Sequence, residues 1–159
     1  MAALNYSLFY IETPLFLRVT LLLLAEIIIT GGLMYDGFMD TADGVFSARS
    51  RERMLEIMKD SHVGSNAVLA IIILLLLKIA AYLELSGETL TWVLLTMSVA
   101  TRTFMVVFIV NFPYARKEGI GHMFTKYAKP FYTYIAFAVC AGIIAACGLQ
   151  LSLIHISEP

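Results

Sequence analysis

The stretch DGFMDTADG, Asp36 to Gly44, puts three carboxylates into eight positions, and Glu56 and Asp60 follow a short way on. If the chain is helical past Tyr35, Asp36, Asp40 and Asp43 stand at i, i+4 and i+7 and share one face within about 60°. Like charges at that spacing destabilise a helix by a few tenths of a kcal/mol in water, and by more where the dielectric falls. A cation among them would relieve the repulsion. Carboxylate oxygens are hard ligands suited to Mg²⁺, Mn²⁺ or Ca²⁺, and no His or Cys set of the kind zinc requires lies nearby. Glu56 and Asp60 form a second i, i+4 pair on SRERMLEIMKDS, which is predicted to be an amphipathic helix able to fold back and complete the site. The candidate metal ligands are therefore Asp36, Asp40, Asp43, Asp60 and Glu56.

Arg49, Arg51 and Arg53 follow the aspartates directly and offer forked donors for phosphate oxygens. Gly37, Ala42 and Gly44 interleave with the acids, where small residues would let a bulky ligand approach the backbone. Acids for a metal beside arginines for an anion are what a metal-diphosphate site requires. The plainer alternative is a solvated loop whose charges pair with one another. His62, two residues beyond Asp60, could reach the same site or be a solvated interfacial side chain, and Lys59 could be a ligand group or a surface partner of Glu56.

The elements that must hold these groups are membrane helices. Of the 159 residues, 60% are hydrophobic and 14% charged, and the mean hydropathy is +0.83, far from an ordinary soluble composition. A net charge of −1 leaves no electrostatic footprint for nucleic acid. Four stretches are long enough to cross about 30 Å of hydrocarbon as helix: roughly 15–34, 67–83, 90–112 and 131–154. The second is the shortest and least secure. No cleavable signal peptide is expected, because no basic start leads into an apolar run and a small-residue cleavage site. Cys140 and Cys147, seven apart in an apolar stretch, read as packing residues. Nothing divides residues 1–150 into separate domains, so they read as one all-α polytopic bundle.

The polar segments 35–66 and 113–130 alternate with a tight turn, ELSGET, and so should face one side of the bilayer. Arg49, Arg51, Arg53 and Lys59 lie in the first segment, and Arg116, Lys117, Lys126 and Lys129 in the second, while the turn has no Lys or Arg. The positive-inside rule then places both polar segments, including the acid cluster, on the cytoplasmic face of the membrane.

DGFMDTADG followed by RERMLEIMKDSHVG resembles the signature of the cobalamin synthase family, the adenosylcobinamide-GDP ribazoletransferases, and PYARKEGIG, Pro113 to Gly121, is similar to that family's second block, preceded by Arg102. A looser likeness to the CDP-alcohol phosphotransferases fails on spacing, since DTADGVFSAR carries one residue too many before Ala48-Arg49. The first resemblance implies a Mg²⁺-dependent membrane transferase. A hydroxyl of α-ribazole, or of its 5′-phosphate, attacks the cobinamide-linked phosphorus of adenosylcobinamide-GDP, and GMP departs. It implies Asp36, Asp40, Asp43 and Asp60 as catalytic and metal residues, with Glu56 a weaker fifth. Arg49, Arg53, Arg102 and Arg116 become candidates for substrate contact, Arg102 and Arg116 by their match to the second block.

The family's pattern has a His two residues before the first Asp, where this chain has Met34. Its chains extend further on both sides, so the resemblance implies a fragment, and residues 151–159, LSLIHISEP, look like adapter read-through. Arg102, near the middle of its span, is expected to face the bundle interior, because an unpaired charge at that depth costs about 2.5 to 3.5 kcal/mol. Pairing with Glu26 is the structural alternative. Lys78 is expected to snorkel outward. Two other classes stay open on the residues alone: a lipid headgroup transferase using a CDP-alcohol, and a cation transporter subunit whose acids line an ion path.

Overall fold

A computed structural model describes residues 1–85, 87–115 and 120–157, with the backbone alone for Ile120 and 149–157. Among these there is no strand, and the chain forms eight helices: α1 (Ala2–Tyr10), α2 (Leu15–Thr30), α3 (Leu33–Phe46), α4 (Arg51–Ile57), α5 (Ser65–Leu83), α6 (Gly87–Asn111), α7 (Ile120–Tyr127) and α8 (Phe131–Ser157). They gather into two compact units, Ala3–Gly87 and the residues from Glu88 onward. Part of the tail expected to be non-native, Glu158 and Pro159, lies outside the described residues.

Among the described residues, three helices are long and apolar enough to cross a membrane: α5, α6 and the Phe131–Gly148 part of α8, with mean hydropathies of 2.4, 2.0 and 1.8. Only 11% of each such window is buried within the chain. Side chains such as Leu69, Leu76 and Leu77 are turned outward, as lipid-facing surface requires. The protein is thus an integral membrane protein by the character of its helices. The second expected span, judged the least secure, is the most apolar of all.

The first expected span is the one that changes. An α2 of 16 residues is about 24 Å long, short of the hydrocarbon thickness. The chain turns through 87° before α3, so α2 and α3 make a crossing only as one bent span. The break is at Gly31 and Gly32, with φ of 61° and 72°. Glycine enters this left-handed region without the Cβ clash that other residues meet. The Gly31 N–H donates to the Ile28 carbonyl at 3.2 Å and the Gly32 N–H to the Ile27 carbonyl at 2.9 Å, which closes α2, and Gly32 opens α3.

In the first unit, Val19, Leu22 and Leu23 of α2, Ala42 of α3, and Ala67 and Tyr82 of α5 are buried. The α3 helix packs most extensively on α5. Ala42 and Gly44 are the buried residues of α3, and a Cβ at Gly44 would lie 2.6 Å from Met58 Cε. These two small residues therefore serve helix packing, not ligand approach, whereas Gly37 on the same helix has open space around it.

The helix predicted over SRERMLEIMKDS is shorter than expected. The Ser50 hydroxyl caps it by accepting from the Arg53 N–H at 3.4 Å, and it ends at Ile57. Glu56 and Asp60 consequently do not share a helix face. In the second unit, the Thr103 hydroxyl of α6 donates to the Ala136 carbonyl of α8 at 3.4 Å. Asn111 Nδ2 donates to the Thr133 hydroxyl at 3.1 Å. Cys140 and Cys147 are both buried free thiols, consistent with packing roles.

Candidate functional site

The α3 helix carries Asp36, Asp40 and Asp43 along one face, and that face forms a wall of a cleft of about 310 Å³. The opposite wall is the connection from α4 to α5, which supplies Met58, Lys59, Asp60, Ser61, His62 and Val63. Two stretches about twenty residues apart in sequence thus bring Asp36, Asp40, Asp43 and Asp60 to one concavity. The small volume lies at the low end for small-molecule sites. It has room for phosphoryl groups and an ion, and not for a large substrate as a whole.

The four aspartates do not have equivalent surroundings. Asp43 accepts from the Gly64 N–H at 2.6 Å through Oδ2 and from the Ala67 N–H at 2.8 Å through Oδ1. The first turn of α5 leaves backbone donors without intrahelical partners, and Gly64 has no side chain to satisfy them, so an acid from α3 caps the helix. The contact is close enough that a Cβ at Gly64 would meet the Asp43 carboxylate at 2.5 Å. Asp60 accepts from the His62 backbone N–H at 3.1 Å, and its Oδ1 lies 2.5 Å from His62 Nδ1. The hydrogen bonds from His62 hold the Asp60 carboxyl below its ordinary range. The carboxylate in turn raises the imidazole above its own. Asp36 and Asp40, one turn apart, complete the α3 face.

Glu56 lies away from the cleft. It is exposed and paired with Arg53 at 2.7 Å, an i, i+3 contact on α4, because α4 stops before Asp60 can join it. That pairing occupies the carboxylate expected as a surface partner of Lys59, and Lys59 is among the residues that line the cleft. Arg49, Arg51 and Arg53 are exposed and do not line the cleft. Arg102 is also exposed, with its guanidinium 3.9 Å from Met105 Sδ. The next residue, Thr103, is 5% exposed and takes the face toward α8. Successive residues on a helix point about 100° apart, so Arg102 is turned from that interior, contrary to expectation. Glu26, its alternative partner, is engaged by Lys78. Arg116 lies outside the described residues.

The carboxylates offer the right donor chemistry for Mg²⁺, but among the described residues no three His, Cys, Asp or Glu side chains converge to hold an ion unaided. Mg²⁺ is commonly bound by one or two carboxylates together with substrate phosphates and water. The cleft fits that shared arrangement and does not fit a dedicated protein cage. For Lys59 the sequence left two readings open, a ligand group or a surface partner of Glu56; it lies in the cleft lining, and Glu56 pairs with Arg53.

The sequence profile of the cobalamin-5-phosphate synthase family matches residues 1–157. The chain is 41% identical over 128 residues to the adenosylcobinamide-GDP ribazoletransferase of Clostridium novyi (strain NT), covering 80% of this chain and 51% of that protein. It is 45% identical over 119 residues to the protein of the same name from Desulfitobacterium hafniense (strain Y51), covering 73% and 47%. A namesake from Listeria monocytogenes (strain EGD-e) is 36% identical over 153 residues, 95% of this chain and 60% of that protein. The chain spans about half the length of the first of these curated relatives. No solved structure matches.

Proposed function

The chain belongs to the cobalamin-5-phosphate synthase family, and from that membership and the cleft we propose that it carries the phosphoryl-transfer site of an adenosylcobinamide-GDP ribazoletransferase. The substrates are adenosylcobinamide-GDP and α-ribazole or its 5′-phosphate, and the products are adenosylcobalamin or its 5′-phosphate and GMP. The observation that carries this reading is the meeting of Asp36, Asp40, Asp43 and Asp60 around one 310 Å³ cleft.

In this account Asp36 and Asp40 would hold Mg²⁺, which would supply charge neutralisation of the phosphoryl oxygens. Lys59 faces the same space and offers a point charge to those oxygens. Asp43 keeps α3 in register with α5, and Asp60 with His62 closes the facing wall. The hydroxyl oxygen of the ribazole forms the new bond to the cobinamide-linked phosphorus, the bond from that phosphorus to the GMP oxygen breaks, and the hydroxyl proton passes to a cleft carboxylate. Little covalent work is asked of the protein; positioning and charge dominate. The distribution of Lys and Arg supports a cytoplasmic cleft in a prokaryotic plasma membrane.

The test uses membranes bearing a full-length version of the protein, incubated with adenosylcobinamide-GDP, α-ribazole and Mg²⁺. GMP and a cobamide are expected together. If neither forms, the reading is wrong, and release of CMP from a CDP-alcohol lipid would assign the lipid transferase class instead.

A further inference from the structure

Lys78 sits in the carboxyl-terminal half of α5, well removed from the acidic cleft in sequence. It was expected to snorkel; its ammonium instead lies 2.7 and 2.6 Å from the two carboxylate oxygens of Glu26 on α2. It also donates to the Tyr35 hydroxyl on α3 at 3.1 Å. The same ammonium stands 5.3 Å from the centre of the Tyr35 ring and 5.9 Å from that of Tyr82. Lys78 and Glu26 are 21% and 28% exposed, in segments where an unpaired charge is costly.

Glu26 and Tyr35 lie on opposite arms of the Gly31–Gly32 corner. Two glycines in the left-handed region allow the 87° turn but leave it loose, because glycine has more backbone freedom to lose than any other residue. A side chain that bonds to both arms removes that freedom. At the far end of α3, Asp43 is bonded to the first turn of α5. Thus α3 is fastened to α5 at two places, Tyr35 to Lys78 and Asp43 to Gly64 and Ala67. Asp36 and Asp40 lie between them.

We propose that Lys78 is a positioning residue: through Glu26 and the Tyr35 hydroxyl it sets the corner between α2 and α3, and so the direction in which the aspartate face of α3 meets the cleft. Its consequence for a bound ion rests on the metal reading given above; the fixing of the corner does not.

The experiment places spin labels at the exposed positions Leu24→Cys and Val45→Cys, with Cys140 and Cys147 replaced by Ser, in the full chain in lipid nanodiscs. Pulsed electron resonance reads the distance distribution across the corner. The parent gives one narrow distribution, and Tyr35→Phe and Lys78→Met broaden it at least twofold. Lys78→Arg, which can still span both arms, restores most of the narrowness. Thr20→Val, which removes only a bond to the Phe16 carbonyl within α2, leaves it unchanged. An unaltered distribution in Tyr35→Phe and Lys78→Met overturns the proposal, and should Lys78→Met not fold, Tyr35→Phe decides alone.

Mn²⁺ titration of the same samples then reads the cleft. Loss of the hydroxyl in Tyr35→Phe is expected to weaken binding about fivefold, the value of one net hydrogen bond. Unchanged affinity with a broadened corner would refute the link from Lys78 to the cleft. Failure of the parent to bind Mn²⁺ would sink the metal reading, while the distance distributions still judge the corner.

Discussion

Asp43 receives the Ala67 backbone N–H at 2.8 Å across 24 residues of sequence, so an acid of the aspartate face is at once the cap of the neighbouring helix. Its partner oxygen takes the Gly64 N–H at 2.6 Å. This separates Asp43 from Asp36 and Asp40 in what a substitution should do. Asp43→Ala is expected to cost about 2 kcal/mol of stability, as for loss of a strong N-cap. Asp36→Asn should change stability by about 0.5 kcal/mol or less, as an exposed substitution does. Thermal unfolding of the purified variants in one detergent checks the contrast. Equal destabilisation would show that Asp43 is not acting as a cap.

Gly64 faces the same carboxylate from the other side. A Cβ there would meet Asp43 Oδ1 at 2.5 Å, so Gly64→Ala must either push α5 from α3 or break the cap. The expected loss is about 1 to 3 kcal/mol. The double variant Gly64→Ala with Asp43→Ala should lose less than the sum of the two single losses, since the clash and the cap both act through the Asp43 carboxylate. Additive losses would contradict the contact.

How much of this was readable beforehand follows from what each signal measures. The spacing of Asp36, Asp40 and Asp43 is a helical property, and α3 is helical across all three. The apolar runs marked α5, α6 and α8 for the same reason: hydropathy is local and additive along the chain. The corner was missed because two glycines after an apolar run look, to a hydropathy count, like the end of a span. Only their positive φ values reveal a turn inside it. Glu56 was misplaced because the predicted helix was carried to Ser61, and one lost turn at its end removes the i, i+4 relation to Asp60. The Lys78–Glu26 pair joins residues 52 apart, and no periodicity encodes such a distance. The cleft's acids could be named from sequence; the separate duties of Asp43 and Asp60 could not, since backbone N–H groups supply their partners.

The pairing of Glu56 with Arg53 predicts little consequence for its removal. Both side chains are largely exposed, at 64% and 65%, where such pairs contribute about 0.5 kcal/mol. Glu56→Ala should therefore leave both stability and GMP release by the full-length protein near the parent's. A loss of turnover comparable to that of a cleft aspartate would return Glu56 to the site.

Asp60 and His62 predict a pH window. The carboxyl is lowered by its bonds from His62, and the imidazole is raised by the carboxylate. The depressed Asp60 contributes above its unfolded value of 3.8 and is lost as pH falls through its lower folded value. The raised His62 contributes below 6.5 and is lost as pH rises through its higher folded value. The pair is thus intact from below 3.8 to above 6.5 and opens on either side. In a metal-free sample, the His62 imidazole resonance should titrate above 6.5 and move back toward that value in Asp60→Asn. No change on that substitution would contradict the contact.

The central claim is that the aspartate face of α3 grips a divalent ion and the diphosphate it shares. It is tested most directly by GMP release from membranes carrying the full-length protein with Asp40→Ala, at matched levels of inserted protein. The account predicts a loss on the order of a hundredfold or more, with membrane insertion intact. Release within a few-fold of the parent would contradict it.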